Sequence, residues 1–207
     1  MTSILKADTI QDTDGNNIIN ESGNTITIGA SGDTISIPSG ATIANSGTAT
    51  GFGGITEADQ WRVTATTSVS GSSDIVTSNW ERADNNFGLI GTGMSESSGV
   101  FTFPQTGIYK IDWKVMAVSS SGSADYTGGD IQYSTDNFSG SNNIAAAYGS
   151  MDGTSAYIGA DMTFIFDVTN TSTHKVRFRF ITDGSANFEG NTDRNWQVAT
   201  FIRLGDT

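Results

Sequence analysis

Two carboxylate-rich stretches in this sequence suggest cation chemistry. The first, Asp12-Thr13-Asp14-Gly15-Asn16, begins like a calcium loop, and the second, 183–195, carries Asp183, Glu189 and Asp193. An EF-hand loop needs glycine sixth and a bidentate glutamate twelfth. Here glycine is fourth and Gly23 stands twelfth, so the first stretch reads as a turn between two short strands. The second offers oxygens in no spacing that specifies a site. No cofactor is therefore expected, with Ca²⁺ the ion that segment would favour. Histidine occurs once, as His174, and cysteine not at all. That removes multi-histidine metal centres, zinc knuckles, disulfide frameworks and thiolate nucleophiles. A Ser/His/Asp hydrolase would have to use His174, which opens a strand, and no Gly-x-Ser-x-Gly elbow is present. Paired carboxylates for glycoside cleavage depend on a tertiary spacing of roughly 5–9 Å that sequence does not display. Lys175, Arg177 and Arg179 alternate as the outward face of a half-buried strand does. A protein without enzymatic activity is expected.

The elements that position these residues are strands. The chain has 207 residues and a net charge of -12, with 25 glycines and no Lys/Arg cluster to reverse the charge locally. Such a balance repels phosphate backbones and anionic headgroups, so neither nucleic acid nor membrane is an expected partner. No 18-residue apolar run and no apolar signal segment at Met1–Asp8 are found, which predicts synthesis in the cytosol. Abundant small polar residues, 10% aromatics and strand-like alternation nearly throughout have the texture of an exposed adhesive module. Cytosolic synthesis with external exposure points to a component of a virus particle.

Residues 1–57 form one zone, with no aromatic residue before Phe52. Within it GNTITI at 23–28 and GDTISI at 32–37 repeat at a spacing of nine residues, and SGATIA at 39–44 is a weaker third copy. Alternating Ile with Thr or Ser is the period of a strand with one apolar face, yet so few isoleucines cannot enclose a core. Repeats this short must stack or self-associate. Three chains wrapped in parallel would point Ile26, Ile28, Ile35, Ile37 and Ile43 at a common axis. The expected organisation is a docking segment at 1–20, a trimeric stalk with a Gly-rich hinge at 21–57, and a knob at 58–207.

The knob alternates as many short strands. Trp61 to Val69 reads as one strand; Tyr109, Ile111, Trp113 and Val115 form one inward row; Met162, Phe164, Phe166 and Val168 another; Val176, Phe178 and Phe180 a third. In the last strand Trp196, Val198, Ile202 and Leu204 share one side, which turns Phe201 outward. With Ile165 it becomes a candidate for the knob's trimer interface. No segment has a helical period, so an all-β sandwich or jelly roll is predicted.

The stretch SSGVFTFPQTGIYKIDWKV, 97–115, resembles the signature of the C1q/TNF-like jelly roll in Gly99, Phe101, Thr102, Pro104, Gly107, Ile108 and Tyr109. WQVATFIRLGDT at 196–207 is similar to that family's closing strand, and the resemblance covers about 58–207. The N-terminal zone, from SILKADTI through GFGG, looks like the start of tail-fibre and virion-appendage proteins of marine bacteriophages, cyanophages above all. Both resemblances imply a homotrimer, with segment 1–20 held by other virion proteins and the distal knob meeting a host-surface glycan or protein. The alternatives are a decoration, head-fibre or tail-accessory protein of purely structural role, and a cellular C1q-like ligand-binding module. If strands reverse at each step, loops 119–129, 151–156 and 183–195 share one end, opposite the stalk. Asp125, Tyr126, Asp152, Asp183, Asn187, Phe188, Glu189, Asn191, Asp193 and Arg194 are the expected receptor contacts there, since aromatic faces beside amides and carboxylates suit sugars.

Overall fold

The computed structural model describes residues 9–11, 13, 17–23, 25–29, 31–44, 54–86, 88–140 and 142–207. They fall in two units, Met1–Phe52 and Gly53–Thr207, and contain strands and no helix among the described residues. Most of the docking segment, most of the Asp12–Asn16 turn and the Gly51–Gly53 part of the hinge lie outside the described residues.

In the first unit β1 (Thr9–Gln11), β2 (Asn17–Ser22) and β3 (Thr25–Ile28) make an antiparallel sheet in that order. Its register aligns Ile10 with Ile19 and Ile19 with Ile28. Three isoleucines thus cross the sheet in one row, and Ile26 shares their face because strand side chains alternate. The second copy of the repeat differs from expectation: 33–38 carries no strand. A strand needs a hydrogen-bonding neighbour, and β3 is an outer strand of this sheet with no further partner among the described residues.

The second unit contains β4 (Ala58–Val63), β5 (Thr67–Ile75), β6 (Trp80–Arg82), β7 (Ser95–Ser97), β8 (Val100–Thr102), β9 (Gly107–Ser121), β10 (Ala124–Ser134), β11 (Asn142–Met151), β12 (Tyr157–Val168), β13 (Lys175–Phe188) and β14 (Val198–Gly205). One layer pairs β11, β10 and β13, with β5 and β8 on the far side of β13; the other runs β12, β9, β14, β4, β6. Strand β13 belongs to both. Through Lys175–Thr182 it pairs with β10, then its register shifts and Ser185–Phe188 pair with β9. This bulged crossing joins the layers along one side.

The core lies between the layers. Tyr109, Ile111, Trp113, Val115 and Ala117 of β9 face Val176, Phe178 and Phe180 of β13, all buried. Phe101 meets the rings of Trp80 at 4.9 Å and Phe178 at 5.4 Å in edge-to-face contacts. The chain is therefore an all-β jelly roll, with its predicted inward rows on β9, β12 and β13 in place.

Three local expectations are corrected. The alternating run 61–69 breaks into β4 and β5 at Thr64–Thr66, and Arg62 is buried between Glu81 and Asp84. On β14 the inward side is Ala199 and Phe201, opposite Trp113 and Ile111, while Leu204 is exposed. Phe201 is 1% exposed, with its ring 5.2 Å from Phe101, so it is core and not a subunit interface. Both parities of this strand carry apolar residues; small Ala199 makes room for the indole, and the Phe201 ring fills the space beside Phe101 and Phe103. Lastly, the Ser/Gly-rich segment 119–129 is mostly strand, with only Gly122 and Ser123 between β9 and β10. Cross-strand hydroxyl pairing of Thr127 with Thr182, at 2.8 Å and buried, offsets the weak strand propensity of such residues.

Candidate ligand-binding surface

The expected receptor residues divide into two hydrogen-bonded patches. In the first, the Tyr126 backbone N–H donates to Asp183 at 3.1 Å, and Asp125, Tyr126 and Asp183 are exposed on strands, not loops. The turn bearing Asp152 joins this end, because the Gly153 N–H donates to the Ser123 hydroxyl and the Gly122 N–H to Thr154. The second patch lies where the β13–β14 connection folds along β4. Glu189 accepts from the Thr66 hydroxyl at 3.4 Å, and the Asn191 side chain accepts the N–H groups of Asp193 and Arg194. The Asp193 carbonyl accepts from Asn85, and Arg194 lies over the Trp196 ring at 5.7 Å. Gly190 fixes the approach, since a Cβ there would overlap the Ala65 backbone.

Two members of the expected set serve other purposes. Phe188 is fully buried, stacked on Phe180 at 4.3 Å, and is a core residue, not a receptor contact. β13 runs through Phe188 because its side chain falls on the inward face of the crossing. Asn187, in the same strand, accepts the Ser68 hydroxyl at 2.7 Å across to β5.

A groove of which the sequence pointed only to Tyr126 and Arg179, in separate elements, sits on the outer face of the β11–β10–β13–β5 layer. Its volume is about 600 Å³, and it is walled by Tyr126 of β10 and Tyr148 of β11, with Gly71, Ser72 and Ser73 of β5 opposite and Arg179, Ile181 and Thr182 of β13 beneath. That volume lies within the usual range of ligand clefts. The two tyrosine rings meet edge to face at 5.9 Å and stay 45% and 49% exposed. Gly128 lets the Tyr148-bearing strand close on β10: a Cβ there would overlap the Ala147 carbonyl oxygen.

Arg179 organises the floor of the groove. Its Nε donates to both Asp130 oxygens at 3.2 and 3.1 Å, its Nη2 also binds Asp130, and its Nη1 donates to Ser73 at 3.2 Å. Asp130 is completely buried, and desolvation raises its carboxyl above the ordinary range even though Arg179 and Arg177 pull it down. Arg177 lies over the Phe138 ring at 4.1 Å and donates to Gln132 at 2.6 Å. Lys175, expected on the outward face, is buried; its ammonium donates to the Thr102 hydroxyl at 2.9 Å and the Thr171 carbonyl at 2.8 Å, and burial lowers its pKa. The alternation of Lys175, Arg177 and Arg179 gave no sign of Asp130, which the fold brings from a distant strand.

Several other titratable groups are engaged in holding the fold. His174 stacks on Phe166 at 5.5 Å, and both ring nitrogens lie 3.2 Å from threonine hydroxyls, of Thr169 and Thr173. Glu57 accepts the N–H groups of Thr92 and Gly93, and Asp59 accepts those of Met94, Trp61 and Arg82. Next to Glu57, burial pushes the Tyr109 phenol up to about 12, so it stays a donor, to the Gln105 carbonyl at 3.0 Å.

The remaining candidates are apolar. Ile165 projects from β12 opposite Lys110 and is 59% exposed amid Asp112, Thr163 and Lys110, which are joined by an ion pair and a hydrogen bond. In the first unit Ile26, Ile28, Ile35, Ile37 and Ile43 are all exposed, between 48% and 67%. Ile10 and Ile19 join them through the cross-strand row, a contribution that the repeat spacing alone did not disclose.

No family model matches the chain, and no protein of curated function matches it in sequence. Solved structures do match in fold. The chain superposes on the Eiger TNF of S. frugiperda with a TM-score of 0.58 at 11% identity, covering 74% of this chain and 95% of that one. Murine APRIL at pH 5.0 aligns with a TM-score of 0.50 at 12% identity, over 72% of this chain and 98% of that one. At pH 8.0 it gives 0.50 at 13% identity with the same coverage. The chain thus carries a jelly roll of the TNF/C1q-like kind.

Proposed function

We propose that the chain is a non-enzymatic recognition protein on the surface of a virus particle, assembled in the host cytoplasm as a homotrimer, whose knob engages the host cell. The observation that carries the recognition reading is the outer groove: two half-exposed tyrosines above an arginine already fixed in place by a buried carboxylate. The core requires neither aromatic ring there, and large exposed rings around a polar floor are what binding surfaces use. The trimer reading is supported by the jelly-roll fold and by an apolar face in the first unit that its own sheet leaves uncovered. The virion reading rests on the resemblance of the N-terminal zone to phage appendages and assigns 1–20 to docking.

Assembly is tested by replacing Ile26, Ile28, Ile35 and Ile37 together with Ser. Each fully buried isoleucine contributes about 1.5–3 kcal/mol, so sedimentation should show dissociation or a marked loss of thermal stability. An unchanged mass and melting temperature would refute the stalk. Recognition is tested by binding fluorescently labelled full-length trimer to whole cells of a marine bacterial panel. Saturable binding to particular strains is expected. A correctly assembled trimer that binds none would favour a bracing role on the particle.

A further inference from the structure

We infer that the groove between β5 and β11 is a saccharide site that takes a neutral pyranose unit of a larger glycan, an assignment that rests on the recognition reading above. The wall residues carry the argument. Tyr126 and Tyr148 present ring surface at a corner of 65° between their planes, and the C–H face of a pyranose packs on such a ring while its rim remains polar. Neither phenol has a hydrogen-bond partner among the described residues, and desolvation raises the Tyr148 pKa, so it is a protonated donor at neutral pH. Opposite the rings, Ser72 and Ser73 line the cleft, and Ser73 already accepts from Arg179 and so keeps its own O–H to donate.

Charge selects among sugars. Arg179 has five N–H groups; three are directed to Asp130 and Ser73, which leaves two for a ligand oxygen. Its positive charge is already compensated by Asp130, which is buried and cannot turn away. Asp183 holds the backbone of Tyr126 at the same end of the groove, and the whole chain carries a net charge of -12. A carboxylate or sulfate would therefore gain little from the guanidinium and would meet the protein's negative field. Hydroxyl and acetamido oxygens avoid that repulsion and use the same donors, already held in place.

The experiment uses the full chain and saturation-transfer NMR with three probes: the N-acetylglucosamine tetramer, a mannose tetramer and a galacturonate tetramer. The expected result is saturation of pyranose C–H protons in a neutral tetramer, with Kd of about 1 mM, and weaker or no transfer to galacturonate. Tyr126→Ala and Tyr148→Ala, each at a half-exposed surface position, should weaken binding at least about tenfold with the melting temperature unchanged. The site is overturned by no transfer to either neutral tetramer, by transfer that survives Tyr148→Ala, or by tighter binding of galacturonate. Cell binding separates the two claims. Strains bound equally by wild type and Tyr148→Ala would leave recognition standing and remove the saccharide site. Saccharide binding without cell binding would do the reverse.

Discussion

Replacing Trp113 with Ala should destabilise the jelly roll by about 3–5 kcal/mol, the range for deleting a buried large aromatic, read as a lower urea midpoint with little change in slope. Trp113 is fully buried on β9 and touches the opposite layer through Phe178 at 4.8 Å and Phe180 at 6.0 Å. It also meets Trp80 at 5.5 Å, so one indole links β6, β9 and β13. Phe and Ala should differ sharply here. The indole Nε1 is buried with no acceptor among the described residues, and a Cβ added at Gly129 would fall 3.0 Å from it. An unsatisfied buried donor costs about 1–3 kcal/mol, so Trp113→Phe removes a penalty while it gives up volume. The expected loss is under about 1.5 kcal/mol, because the relieved penalty of about 1–3 kcal/mol offsets much of the cost of the lost volume. A Phe variant as unstable as the Ala variant would place an acceptor near that nitrogen and refute the account.

Much of this core was legible because its signal is local. The row from Tyr109 to Val115 has one apolar parity and charges at Lys110, Asp112 and Lys114 on the other, so only one register buries it. The same holds for Val176, Phe178 and Phe180. β14 failed the same reading because both of its faces are apolar, and the choice depended on a hole left by Phe101 and Phe103, which periodicity does not encode. The segment 119–129 failed for a related reason: Ser, Gly and Asp signal a turn, but here cross-strand partners on β13 keep the backbone in the sheet. Strand lengths then changed where the candidate residues went. Tyr126 came from a supposed loop, Tyr148 from the next strand and Arg179 from a third, and only pairing across β10 makes them one site. The isoleucine row in the first unit lies between these cases, since the repeat exposed Ile26 and Ile28 while the register was needed to add Ile10 and Ile19.

The groove's floor should also govern stability. Arg179→Met leaves Asp130 buried with its main partner removed, and breaking such a pair from one side costs about 3–5 kcal/mol. In the wild type Asp130 already has a raised pKa, because desolvation outweighs the help of Arg179. A carboxyl whose folded pKa exceeds its unfolded value of about 3.9 keeps its proton in the native state where the unfolded chain has lost it. Its contribution is therefore most favourable below the unfolded pKa and is lost as pH rises through the folded one. Removing Arg179 pushes the folded pKa higher still. The stability gap between wild type and Arg179→Met should thus be widest at neutral pH and narrow progressively as pH falls toward the unfolded value of about 3.9, as the carboxyl takes up its proton in both proteins. Urea unfolding of the two proteins at matched pH values measures the gap directly, because the other carboxylates titrate alike in each and cancel. The double variant Asp130→Asn with Arg179→Met should recover much of the loss at neutral pH and show no such narrowing. A gap independent of pH would mean that Asp130 stays protonated in the native protein across the range, and that Arg179 is held by packing alone.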